Sequence, residues 1–83
     1  MLGVGSCVLG RDPSADFVLD DELASRRHAQ IVGRAGAWVL EDLGSTNGTL
    51  LNGKRTRRAP LADGDAIRIG STVLRFVQKG LLG

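Results

Sequence analysis

Apolar residues in this chain come in short groups, many alternating with polar ones and each cut off by a turn-forming pair. Cys7-Val8-Leu9 and Phe17-Val18-Leu19 have strand composition. From His28 to Val32 the side chains alternate, with Ala29 and Ile31 on one face and His28, Gln30 and Val32 on the other. Trp38-Val39-Leu40 returns across an Arg34–Gly36 turn, which predicts a hairpin. Leu50-Leu51 is a short segment; Ile67 and Ile69 alternate about Arg68, and Leu74 and Phe76 about Arg75, across a Gly70–Thr72 turn. The punctuation is regular: Asp12-Pro13-Ser14, Ala35-Gly36, Asn47-Gly48, Asn52-Gly53, Asp63-Gly64 and Gly70-Ser71. No stretch of about twelve residues carries helical periodicity, and Asp20-Asp21-Glu22-Leu23-Ala24 has room for one turn only. Short strands with frequent turns predict an all-β fold, a β-sandwich of two largely antiparallel sheets with short loops. No internal repeat, low-complexity tract or linker divides residues 1–83, which read as one domain.

Composition narrows the chemistry. The hydrophobic share of 42% over 83 residues is enough for a small core and argues against disorder. Eleven basic residues against nine acidic ones leave a formal charge of +2, too small a surplus to favour a grip on nucleic-acid phosphates. Nine of the eleven are Arg, whose planar fork suits the recognition of single oxyanions. Cys7 stands alone, so neither an internal disulfide nor a zinc site is available, and a cytoplasmic setting fits. Val4-Gly5-Ser6-Cys7 has a faint look of a lipoprotein cleavage site, but no charged segment or long apolar stretch precedes it. No apolar run is long enough to form a membrane-spanning helix.

Three polar strings remain: Gly10-Arg11, Ser25-Arg26-Arg27-His28, and Asp42-Leu43-Gly44-Ser45-Thr46-Asn47-Gly48-Thr49. Each lies at a strand end, where sandwich loops gather and recognition residues are displayed. They supply arginines, small hydroxyls and an amide, an inventory for holding an anion. Taken singly, each has a plainer role. Arg11 could pair with Asp12 or Asp16, Gly10 could shape a turn, Ser25 could cap one, and Asn47-Gly48 is a common tight-turn pair. His28 has no nucleophile partner with an orienting acid, so it reads as a brace for the preceding loop rather than a general base. No enzyme activity, cofactor or metal is called for. The densest basic run, Lys54-Arg55-Thr56-Arg57-Arg58, reads as a solvated loop between strands. The scarcity of aromatics, Trp38, Phe17 and Phe76 only, argues against base stacking there.

In order and spacing, Gly10-Arg11, Ser25–Ala29, Asp42–Thr49, Asn52-Gly53 and the closing Leu61–Asp65 before Ile67–Gly70 resemble the forkhead-associated (FHA) domain family, over roughly Val8 to Val77. The resemblance implies a β-sandwich that binds phosphothreonine peptides at one loop end. It places Arg11, Ser25, Arg26 and Thr46 on the phosphate and Asn47 on the peptide main chain. It gives Gly10, His28, Gly48, Asn52 and Gly53 loop-shaping roles. The implied partner is a protein phosphorylated by a Ser/Thr kinase. Two alternatives stand beside it: the same fold making phosphate-independent protein contacts, within its parent chain or in an oligomer, and a basic nucleic-acid module working through Lys54–Arg58. Two features depart from the family pattern. Met1–Ser6 is short and Gly-rich where relatives have a further strand, which suggests a piece of a larger protein with a frayed N-terminal edge. Leu23 sits where some relatives carry a charged residue that selects the ligand residues downstream of the phosphothreonine. That choice would then pass to an apolar contact, or to the loops near Leu43 and Asn52–Arg58. The Arg-rich, Lys-poor composition suits a bacterium with GC-rich DNA.

Overall fold

The computed structural model describes residues 4–77. Nine strands form in the order β1 (Val4–Gly10), β2 (Phe17–Val18), β3 (Ala29–Arg34), β4 (Ala37–Asp42), β5 (Thr49–Leu51), β6 (Lys54–Arg55), β7 (Arg58–Leu61), β8 (Ala66–Ile69) and β9 (Thr72–Arg75). They make a five-stranded sheet, β2-β1-β3-β4-β7, and a four-stranded sheet, β6-β5-β8-β9. Every pairing is antiparallel except β1 with β2, where Leu9 and Gly10 run parallel to Phe17 and Val18. The all-β sandwich expected from the alternation is therefore the fold.

Register carries the apolar positions to one side. Ile31 faces Cys7 and Leu40 across its two neighbours, and Leu51 faces Ile67 in the opposing sheet. Leu9, Leu19, Ala24, Ala29, Leu40, Leu61, Ile67 and Ile69 close the core between the sheets. Trp38 belongs to the same face and lies flat over Gly33, its cross-strand partner, where any Cβ would enter the indole. Its ring centroid is 6.3 Å from that of Phe76, which seals the end of the sandwich remote from the polar strings.

Several local expectations change. From Val4 on, β1 pairs with β3 as far as Arg34, so Val4–Ser6 is strand and not a frayed edge, while Met1–Gly3 lie outside the described residues. His28 does not share in the alternation of β3, which starts at Ala29; its ring is fully buried beneath the neighbouring loops. Asp21–Ala24 makes a β-turn, closed by the Ala24 N–H on the Asp21 carbonyl at 3.0 Å. The run Lys54–Arg58 is not a continuous loop: Lys54 and Arg55 form β6 and Arg58 opens β7. β7 is an edge strand, which is why it tolerates Pro60 without a ladder hydrogen bond.

Two hairpins use two-residue loops with both central residues at positive φ: Ala35-Gly36 at 55° and 82°, and Asn52-Gly53 at 51° and 86°. Asn is at ease there and Ala is not, because its Cβ crowds the following carbonyl. Ala35 is exposed and has no packing role to lose. Ala35→Asn is therefore expected to raise unfolding stability by about 0.5–1 kcal/mol, read as a higher denaturant midpoint with an unchanged slope.

Candidate functional site

One end of the sandwich collects the C-termini of β1 and β4 and the N-termini of β3 and β5. The loops leaving these strands carry all three polar strings. Gly10 is what lets two of them touch. Its Cα faces the Arg26 carbonyl so closely that a Cβ could not fit, and its φ is not left-handed. Close approach, not turn geometry, is the reason for glycine here. The adjacent main chains are then laced together: Arg11 N–H donates to the Ser25 carbonyl and Asp12 N–H to the Arg26 carbonyl, both at 3.0 Å.

His28 ties the second string to the third. Its Nδ1 accepts the Ser25 N–H at 2.9 Å, so the proton resides on Nε2, which donates to the Gly48 carbonyl at 2.8 Å. Both ring nitrogens are thus consumed by backbone, which leaves neither for proton transfer. Ser25 Oγ accepts the Thr46 N–H at 3.1 Å, and Asn47 Nδ2 donates to the Leu23 carbonyl at 2.8 Å. Arg11 Nε donates to the Ala24 carbonyl at 3.1 Å.

These links produce a cleft of about 390 Å³ lined by Arg11, Ser25, Arg26, Thr46 and Asn47, together with Glu22, Leu23 and Ala24. All five side chains expected to contact a ligand are brought together. Arg11 pairs with neither neighbouring carboxylate: Asp12 takes Arg26 at 2.8 Å, and Asp16 accepts the Val8 N–H. Gly48, at φ 86°, turns the third string back toward β5. Asn52-Gly53 lies at the opposite end of β5, where Asn52 bonds Asp65 and the Ala66 N–H. Lys54 and Arg57 are exposed and outside this cleft, and Arg58 pairs with Glu41 at 3.0 Å. A smaller cleft of about 270 Å³ adjoins Leu23 and Asn47 and is walled by Leu50, Arg55, Arg68 and Gly70. The described residues contain no cluster of three or more metal-ligating side chains.

Two carboxylates that carried no assigned role in the sequence prove to hold the loops. Asp42 accepts the N–H groups of Gly44 and Ser45 and the hydroxyls of Ser45 and Thr49. Burial pushes its carboxyl up, but those bonds outweigh it and leave the carboxyl below its ordinary value. Asp21 accepts the Leu23 N–H and, from the β8–β9 turn, the Ser71 N–H and both the Ser71 and Thr72 hydroxyls. The Leu23 bond leads in drawing its carboxyl down to about 2. Asp42 had a detectable signal, an acid two residues before Gly and three before Ser, the pattern of a side-chain-closed turn. The reach of Asp21 to Ser71 and Thr72 had none, because those partners are 50 and 51 residues away.

Asp12, held down to about 2 first by Ser14 and then by Arg26, and Asp65, lowered by Ala62 and Asn52, behave alike. Each of the four is more acidic folded than unfolded. Its contribution is intact above the unfolded value of 3.8 and is lost as pH falls through the folded value, about 2 for Asp12 and Asp21. Unfolding stability is accordingly expected to be flat with respect to these groups above pH ~5 and to fall between pH ~4 and ~2. Denaturant midpoints across that range measure it, and Asp21→Asn should flatten the slope.

With that geometry in place, the relatives are informative. A model of the FHA domain matches residues 7–70. The chain belongs to the FHA domain family. It is 43% identical over 76 residues to the FHA domain-containing protein FhaB of Mycolicibacterium smegmatis, covering 90% of this chain and 49% of that one. A solved structure from a structural and functional analysis of phosphothreonine-dependent FHA domain interactions superposes with a TM-score of 0.90. The two are 40% identical, over 96% of this chain and 83% of the other. The FhaA FHA domain, solved in complex with the intracellular domain of Rv3910, matches with a TM-score of 0.81 at 42% identity, over 88% and 80% of the two chains. This FHA chain therefore spans about half the length of the curated FhaB it matches. No helix among its described residues is long and apolar enough to cross a membrane.

Proposed function

We propose that this FHA domain is a non-enzymatic reader of phosphothreonine, acting in the cytosol as one module of a longer protein that recruits partners after a Ser/Thr kinase has modified them. The observation that carries the reading is the shared cleft of Arg11, Ser25, Arg26, Thr46 and Asn47. Its donors are preset by backbone ties to Ala24, Leu23 and Thr46, so little ordering remains to be done on binding. Arg11 and Arg26 take the charge of the phosphate, the Ser25 and Thr46 hydroxyls donate to its oxygens, and Asn47 brackets the ligand main chain. The adjoining cleft at Leu23, Leu50 and Arg68 receives the residues that follow. In this reading the basic run Lys54–Arg58 takes no part in phosphate capture.

A phosphothreonine brings about −1.5 to −2 charge and three acceptor oxygens. Charge-assisted bonds at roughly 1.5–3 kcal/mol each make it decisive, while the ordering of peptide holds affinity near the micromolar level. Anisotropy titrations with a phosphothreonine peptide pool, its phosphoserine counterpart and its unphosphorylated counterpart test the reading. The phosphothreonine pool should bind, the unphosphorylated pool should not, and binding should weaken between pH 7.5 and 5.5 as the phosphate takes up its second proton near pH ~6. Equal binding of the unphosphorylated pool would contradict the proposal and favour phosphate-independent contacts.

A further inference from the structure

Arg26 lines the cleft with its guanidinium already engaged. Its Nε and Nη2 both donate to Asp12 Oδ2, at 3.1 and 2.8 Å, while its side chain stays 72% exposed. Asp12 is the fixed member of the pair. Its Oδ1 accepts both the N–H and the hydroxyl of Ser14 at 2.8 Å, and its side chain is only 19% exposed. Its own main chain is bonded at both ends, donating to the Arg26 carbonyl and accepting from the Ala15 N–H. The loop-to-loop tie is therefore made by backbone, and the ion pair is added on top of it.

We infer that Asp12 is a built-in competitor for Arg26, an internal anion that the ligand phosphate must outbid to obtain the full fork of that guanidinium. The inference rests on the phosphothreonine reading of the cleft and adds a determinant of its affinity. The Nε–Nη2 edge is one of the two that can grip two oxygens of an oxyanion, and it is occupied. An arriving dianion also meets the Asp12 charge beside it, and Glu22 on the cleft wall adds a second carboxylate. A weakly charged anion gains too little from Arg26 to displace the carboxylate, whereas a doubly ionised phosphate monoester does. Asp12 thus lowers affinity, favours release, and raises the charge that a ligand must carry. A purely structural Asp12 would instead steady Arg26 for the ligand, and its loss would weaken binding.

Asp12→Asn separates these roles, because the amide oxygen can still accept from Ser14 while the charge is gone. The probes are a labelled degenerate phosphothreonine peptide pool and inorganic phosphate, titrated against wild type, D12N, R26A and D12N/R26A. Removing one surface ion pair and one like-charge neighbour together should tighten binding of the pool about 3- to 10-fold in D12N. Most of the gain should be lost when Arg26 is absent, leaving D12N/R26A at most about twofold tighter than R26A, the part owed to like-charge repulsion alone. In the wild type, the Arg26 Nε–H resonance should move on addition of inorganic phosphate, a readout that does not depend on how the variant folds. Unchanged or weaker binding by D12N, a gain that is undiminished without Arg26, or a stationary Nε–H signal at phosphate saturation each overturns the inference. Should wild type and D12N alike ignore both probes, the reading of the cleft falls and the inference with it. Wild-type binding without the D12N gain removes the inference alone.

Discussion

Replacing Arg11 by alanine is expected to lower affinity for phosphothreonine peptides about 100-fold, or about 3 kcal/mol, while leaving the protein folded. Of the two guanidinium groups in the cleft, Arg11 is the one without a carboxylate partner, since Asp12 is committed to Arg26. Its single tie, from Nε to the Ala24 carbonyl, aligns the side chain and leaves both terminal nitrogens free to donate. Loss of that fork removes a charge and two hydrogen bonds at once, in a site the solvent only partly screens. The fold should survive because Arg11 is exposed and its backbone bond to Ser25 does not need the side chain. Arg11→Lys, which keeps the charge but not the fork, should fall between the two, about 10-fold weaker than wild type. Arg57→Ala, outside the cleft, should bind as wild type does. Isothermal titration with circular dichroism on the same samples measures affinity and fold together.

The second large effect is on stability. His28→Ala is expected to cost about 3–4 kcal/mol, a large part of the 5–15 kcal/mol typical of a whole domain. The imidazole is fully buried, so its removal leaves a cavity, and it also strands two backbone groups, the Ser25 N–H and the Gly48 carbonyl. The Gly48 carbonyl, whose bond to the ring is buried, loses its partner away from solvent. Because those groups belong to the second and third polar strings, binding should weaken at temperatures where the variant is still folded. Guanidinium unfolding and a peptide titration, both at 10 °C, separate the two losses.

How far the sequence reached is clearest from these same residues. The sandwich was legible because period-2 alternation at Ala29–Val32, Ile67–Ile69 and Leu74–Phe76 reports burial on one face, and Gly and Asn mark the turns between. The cleft was legible because its residues are exposed and polar at strand ends, where packing does not explain them. What escaped depends on long-range partners. β6 is two charged residues with no apolar period, and it is a strand only because the Asn52-Gly53 hairpin folds it onto β5. The parallel β1–β2 pair spans too few residues to leave a pattern. Asp21 reaches Ser71 and Thr72 through the fold alone, and nothing around it in sequence reports that contact. Asp12 was visible as a possible partner for Arg11, but adjacency in sequence misled: the close approach at Gly10 brings Arg26 to it instead.

An amide chemical-shift map of the labelled protein, titrated with a degenerate phosphothreonine peptide pool, tests the central claim most directly. Binding at the cleft predicts the largest shifts at Arg11, Leu23–Arg26 and Thr46–Asn47, lesser ones at Leu50 and Gly70, and none at Lys54 or the Ala35-Gly36 turn. Saturable shifts centred on Lys54–Arg57, or no shifts at all with the phosphorylated pool, would contradict it.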